Sequence, residues 1–229
     1  MRLRPRFTCP TTRYDLGDLR GTDIQPYYNY FNHHMYPGSN KGRHIRMATP
    51  LETFPVLQQG GSILPIRERV RRSSPLMWKD PFTLVIAVAK DGSASGELYL
   101  DDAESYSYEQ GEFIWRGFEF KSAKNGKPST LRSVDLVSTR PDESGLVTPS
   151  VYQSTNAWAQ KIADVRVEKI VVLGLKETPR EVIIKGGAHV EYEFTKGVEA
   201  SGRKEGTASK LVVKNPNVLI TRDWSIEIR

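Results

Sequence analysis

Residues 51–102 read LETFPVLQQGGSILPIRERVRRSSPLMWKDPFTLVIAVAKDGSASGELYLDD, a succession of short apolar runs separated by Gly, Pro and charged breaks. Strand-forming residues gather at 54–57, 62–66, 82–89 and 97–100, and each run is bounded by residues that stop a ladder or make a turn. No apolar period of three or four residues competes over the same span, so strands are expected here and helices are not.

The same grammar continues toward the C-terminus. Strands are expected at 96–100, 113–121, 130–138, 163–173, 181–184, 190–194, 210–213, 217–220 and 224–228, with Gly, Asn, Asp or Pro between most of them. That spacing favours an all-β, antiparallel β-sandwich architecture over a parallel sheet with crossover helices. Only 152–160 reads as a short helical turn. Residues 140–150 mix Pro, Gly, Ser and acids and read as a mobile loop, and no repeat of fixed period is visible. Toward the N-terminus, Tyr27, Tyr28, Tyr30, Phe31 and Tyr36 lead to a turn at Pro37-Gly38. Residues 1–25 open MRLRPRFTCPTTR, rich in Arg and free of acids until Asp15, a composition that hints at a transit peptide. Pro5 and Pro10 break the amphipathic helix such a peptide needs, and no apolar segment makes it a secretory signal, so an irregular leader is expected.

With 229 residues, 38% of them hydrophobic and 26% charged, the chain has the make-up of one or two ordinary globular domains with a sizeable core. No apolar run approaches the roughly 18 residues of a membrane-spanning helix, so no membrane partner is expected. Cys9 is the single cysteine, so no internal disulfide can form and redox compartment is unmarked. No Asn-x-Ser/Thr sequon occurs. A net charge of +6 raises the question of a nucleic-acid partner. The basic residues are spread along the chain apart from Arg2, Arg4, Arg6 and the cluster Arg67, Arg69, Arg71, Arg72, which Glu68 interrupts. A nucleic-acid surface concentrates charge on one face and adds a recognisable module, so a solvated surface is the expectation and no nucleic acid is expected.

Candidate chemistry reads as structural. Asp101, Asp102 and Glu104 could suggest calcium, but Ala103, Ser105 and Tyr106 break the alternating oxygen spacing of an EF-hand loop, and adjacent Asp residues after a strand form turns. His33 and His34, as neighbours on a strand, face opposite ways and cannot easily share a metal; His44 and His189 lie elsewhere. Ser73-Ser74, after the arginines, reads as an inter-domain loop before it reads as a phosphorylation site. Gly60-Gly61 and Gly186-Gly187 lack the pattern of a phosphate loop and suit tight reversals. Trp78, Trp115, Trp158 and Trp224 could stack on sugars, yet Trp115 and Trp224 stand inside apolar strand patterns that favour core packing. No catalytic, cofactor-binding or metal-ligating residue is assigned.

The ordered segments FPVLQQGGSILP (54–65), RVRRSS (69–74), DPFTLVIAV (80–88), GELYLDD (96–102), YSYEQGEF (106–113), RVEKIVVLGL (166–175) and DWSIEIR (223–229) together resemble the region that follows the catalytic barrel in family 31 glycoside hydrolases. The resemblance covers 26–229. It implies that 26–78 correspond to part of a small proximal β-sandwich and 79–229 to a larger distal one, with 1–25 unmatched. It also implies α-glucosidase chemistry in the parent enzyme, acting on α-linked glucose of N-glycans in the lumen of the endoplasmic reticulum. The barrel, in the same or a companion polypeptide, is the implied partner, with a non-catalytic second subunit more remote. The family's Trp-x-Asp-Met-Asn-Glu and Gly-Asp-Asn segments, which hold its nucleophile and general acid, do not occur; Trp78-Lys79-Asp80 begins the first and departs at Pro81-Phe82. Glycoside hydrolysis needs two carboxyls about 5 to 9 Å apart across the scissile bond, and a (β/α) barrel takes about 250 residues. The expectation is a non-catalytic buttress, inactive alone and without cofactor. The rival expectation is an independent carbohydrate-binding module that uses exposed aromatic rings.

Overall fold

The computed structural model describes residues 11–15, 25–38, 44–48, 54–124, 126–139, 157–198 and 206–229. Its strands in chain order are β1 (Thr11–Asp15), β2 (Tyr27–Asn29), β3 (His34–Tyr36), β4 (His44–Ala48), β5 (Leu57–Gln59), β6 (Ser62–Ile66), β7 (Phe82–Ala87), β8 (Ser93–Leu100) and β9 (Ile114–Lys121). There follow β10 (Ser129–Asp135), β11 (Arg166–Leu173), β12 (Val182–Ile184), β13 (Ala188–His189), β14 (Tyr192–Thr195), β15 (Gly206–Thr207), β16 (Lys210–Leu219) and β17 (Trp224–Ile228). Among the described residues two short α-helices, α1 (Leu136–Thr139) and α2 (Ala157–Lys161), and two 3-10 turns, Ser74–Met77 and Ser107–Gln110, interrupt them.

The expected all-β class is what forms. An 11-stranded sheet runs in the order β13-β12-β17-β10-β9-β8-β6-β7-β11-β16-β14, a second sheet of four strands runs β15-β3-β2-β5, and β1 pairs with β4. Most ladders are antiparallel. The exceptions are β7 against β11, parallel from Phe82 opposite Val167 to Ala87 opposite Leu173, and a single parallel contact of Ser62 with Ser95.

The continuous apolar runs explain which strands lie at the centre. All six residues of β7 are buried, because alternate residues meet different cores. Phe82, Leu84 and Ile86 join Phe118, Phe120, Leu131, Val167, Ile170, Val172, Leu211 and Ile226 in the main core. Val85 and Ala87 turn the other way, with Val171 and Leu173, onto Tyr28 of the small sheet, where Met35, Leu64 and Ile66 are half-buried. A strand covered on both faces reads as an unbroken apolar run. Tyr28 spans this second core and donates its hydroxyl to the Val88 carbonyl at 2.9 Å; burial pushes its pKa well above the usual phenol value.

Within the leader expected to be irregular, Thr11–Asp15 form a strand paired with β4, and three further elements differ from the sequence expectation for physical reasons. Residues 210–213 and 217–220 were separate strands on turn chemistry, but β16 runs unbroken along β11 with a register shift where Val167 opposes Val218 and Lys169 opposes Lys214. Asn215 and Asn217 absorb the surplus chain at φ 46° and 59°, a left-handed conformation that Asn tolerates better than other side chains. Residues 136–138, expected to extend a strand, instead turn into α1, whose Val137 N–H is capped by the Asp135 carboxylate at 3.0 Å. The strand expected at 54–57 begins only at Leu57, and Phe54 is exposed. The helical turn expected within 152–160 is present as α2 in its described part, whereas the loop expected at 140–150 lies outside the described residues, as do Cys9 and most of the expected leader.

Candidate functional site

Between β6 and β7 the chain must cross from one strand to the next through RERVRRSSPLMWKDP, residues 67–81, with few apolar anchors. Ion pairs supply them. Arg71 forks onto Asp80, Nε to Oδ2 at 2.9 Å and Nη2 to Oδ1 at 2.6 Å, and this hydrogen bond holds the Asp80 carboxyl below the usual carboxylate range. Arg67 lies over the Phe82 ring, 4.4 Å from its centroid, and donates from Nη2 to the Trp78 carbonyl at 3.2 Å. Arg69 reaches Glu168 at 2.9 Å, and Glu68 accepts from Lys169 and from the Thr83 hydroxyl. A fork-shaped guanidinium suits such planar, two-point contacts. Three of the four arginines of the basic cluster, Arg67, Arg69 and Arg71, thus make contacts within the fold, two of them from exposed positions.

The stapled loop presents Trp78. A short 3-10 turn, Ser74–Met77, precedes it. The ring packs on Trp158 of α2, centroids 5.8 Å apart and planes inclined by 31°, and Lys79 Nζ sits 4.8 Å from the Trp78 ring centroid. Across from this pair the end of β8 offers Tyr99, stacked on Phe113 at 5.2 Å and 27°. Burial, then the neighbouring Asp101 carboxylate, push the Tyr99 hydroxyl up to about 12. The chain then reverses as the sequence suggests. Asp101 Oδ1 accepts the Ala103 N–H at 2.9 Å; Asp102 accepts the N–H groups of Glu104 and Ser105 and the Ser105 hydroxyl, the last at 2.6 Å. The Ser105 hydroxyl and these amides hold the Asp102 carboxyl below its ordinary value. Between the tryptophans, Tyr99 and this acidic turn lies a cleft of about 880 Å³, whose lining also includes Arg67, Glu104 and Lys161.

The remaining candidates fall elsewhere. His33 adopts φ 59° in the turn before β3, and burial followed by the charge of Lys210 lowers its pKa. His34 lies on β3. His189 lies 3.8 Å from Glu181 on the far edge of the large sheet. The side chain of His44 is outside the described residues. Gly60-Gly61 link β5 to β6 and Gly186-Gly187 link β12 to β13, the reversals expected of them. Trp224 is half-buried against the main core, 6.1 Å from Phe118, and Trp115 is half-buried with its N–H on Glu97 at 3.0 Å. Among the described residues no group of three or more His, Cys, Asp or Glu could hold a metal ion. No site residue was assigned from sequence, and the cleft was missed because its walls come from 67–78, 99–104 and 158–161; the only signal was the aromatic content of those segments.

No family model matches the chain. Neutral alpha-glucosidase AB of Dictyostelium discoideum is 34% identical over 186 residues, covering 80% of this chain and 16% of that protein. A crystal structure of a glucosidase II alpha subunit superposes with a TM-score of 0.74 at 30% identity, covering 96% of this chain and 21% of the other. Another, of the ER glucosidase II heterodimeric complex consisting of the catalytic subunit and the binding domain of the regulatory subunit, superposes with a TM-score of 0.72 at 29% identity and the same coverage. The chain thus spans about a fifth or less of the length of the proteins it matches.

Proposed function

Because this chain is homologous to a C-terminal region of the glucosidase II alpha type of family 31 glycoside hydrolases, we propose that it is a non-catalytic β-sandwich scaffold of an α-glucosidase, buttressing a catalytic barrel whose carboxylates lie outside these 229 residues. The reaction it would support is hydrolysis of α-linked glucose from N-glycans in the endoplasmic reticulum lumen. The observation that carries this reading is the match along 96% of the chain to a small part of a much longer glucosidase subunit. Three of the acids singled out are held within the fold, Asp80 by Arg71, Glu68 by Lys169 and Asp102 by its own turn, and these three are not free to act as one of an opposed pair.

In this reading 26–78 form the proximal unit and 79–229 the distal one, and the two interleave. β6 from the first enters the large sheet, and β15 from the second completes the small one. Phe31 and Phe54, 57% and 73% exposed, lie on segments joined by the Tyr30 N–H and the Val56 carbonyl at 2.9 Å, and we assign this apolar surface to the contact with the barrel. A regulatory second subunit is a further proposed partner, on the strength of the heterodimeric structure that the chain resembles.

The purified chain is expected to release no p-nitrophenol from p-nitrophenyl α-glucoside. Turnover abolished by replacing one of its own acidic residues would overturn the scaffold reading.

A further inference from the structure

We propose that the cleft between Trp78, Trp158 and Tyr99 is a non-catalytic binding site for a neutral oligosaccharide. The site goes beyond the scaffold reading and does not depend on it.

Its volume of about 880 Å³ lies in the range of small-ligand sites. Two of the aromatic side chains that line it keep part of their surface exposed, Trp78 at 37% and Tyr99 at 47%. Each packs on a second ring, Trp78 on Trp158 and Tyr99 on Phe113. The stapled loop fixes the backbone at Trp78 through Arg67, and Arg71–Asp80 closes it. Little side-chain freedom therefore remains to be lost on binding. The apolar C–H face of a pyranose ring can desolvate against such surfaces, as apolar groups do against aromatic rings generally.

The polar lining fits hydroxyl groups. Asp101 and Glu104 offer acceptors, Lys161 a donor, and the mixture of signs suits neither a polyanion nor a polycation. Trp158 adds a second, separate observation: it is 8% exposed, lines the cleft, and its indole N–H has no hydrogen-bond partner. A buried donor left unpaired is costly, so the wall of the cleft at Trp158 carries an unmet demand for a hydrogen-bond acceptor among the described residues. A cation is the weaker fit, because the oxygens of Asp102 are taken by Glu104 and Ser105.

The test is calorimetric and ligand-observed NMR titration of the full chain with two uncharged probes, maltotetraose and cellotetraose. Saturable binding of at least one is expected, weakened about tenfold or more by Trp78→Ala and also weakened by Glu104→Gln, a substitution at an exposed turn position that leaves the rings in place. Tyr106→Ala, at a ring 76% exposed and outside the cleft lining, should leave binding unchanged. No saturable binding of either probe, or binding undiminished in both cleft variants, would overturn the site. Binding without hydrolysis leaves the scaffold reading standing, and hydrolysis would sink that reading without touching this one.

Discussion

Asp80 is 3% exposed, yet it carries a charge because Arg71 meets both of its oxygens. A buried charge is tolerated only with such a partner. The unfolded chain has an ordinary Asp value of about 3.9, whereas the folded carboxyl titrates lower through its bond to Arg71. The unfolded state therefore takes up the proton first as pH falls; the bridge contributes fully above the unfolded value and is lost as pH drops through the folded one. Asp80→Asn should accordingly melt below wild type at pH 7, with the gap in melting temperature narrowing as pH falls below the unfolded value of about 3.9. A gap that stays constant from pH 7 to pH 2.5 in circular-dichroism melts would contradict this. Arg116 poses the same problem more sharply. It lies 2% exposed on the core face of β9, between Ile114 and Phe118, and is answered by the Ser133 hydroxyl at 3.0 Å and Asp223 at 2.6 Å. Hydrogen bonds to charged groups contribute roughly 1.5–3 kcal/mol each, against a desolvation penalty of several kcal/mol. The pair keeps the arginine in place without making it a source of stability.

Where β6 and β8 approach in parallel, the spacing is set by a residue without a side chain. A Cβ on Gly96 would lie 2.1 Å from the Ile63 carbonyl oxygen, a backbone atom that cannot swing aside. Gly96→Ala should force the strands apart and lower stability by about 1–3 kcal/mol, as overpacking does, measurable as a lower urea midpoint; an unchanged midpoint would show that the ladder yields freely. Elements of this kind were legible in uneven measure. β7, β9 and β17 could be read because burial writes itself into apolar runs, and the turn after β8 because Asp carboxylates cap their own backbone. The Lys214-Asn215-Pro216-Asn217 stretch misled because the residues that end strands also build bulges, and only the neighbouring β11 decides between the two. Leu136-Val137-Ser138 misled because the strand preference of Val137 is weaker than the cap from Asp135 combined with burial of Leu136 and Val137.

At the scale of the whole molecule, the large sheet carries two cores, one on each face of β7 and β11, and the small sheet closes the second. Phe31, in the turn after β2, and Phe54, ahead of β5, are exposed on segments that flank that small sheet, and exposed apolar surface favours self-association. Phe31→Ser with Phe54→Ser should lower the apparent mass of the concentrated chain in light scattering while leaving its melting temperature within about 2 °C, since surface changes alter stability little; unchanged association would remove this patch from the proposed barrel contact. The cleft could not be read from sequence for a reason of the same scale, since folding alone brings Trp78, Tyr99 and Trp158 together. The strand order of the small sheet carries one more lesson. β3 pairs on one side with β2, its neighbour in the chain, and on the other with Gly206-Thr207. A ribosome working at about 5–20 residues per second needs on the order of ten to thirty seconds to travel from the one partner to the other. Throughout that interval the nascent polypeptide holds out an unpaired β3, so a chaperone that shields strand edges during synthesis should matter more to the yield of this protein than one acting after release.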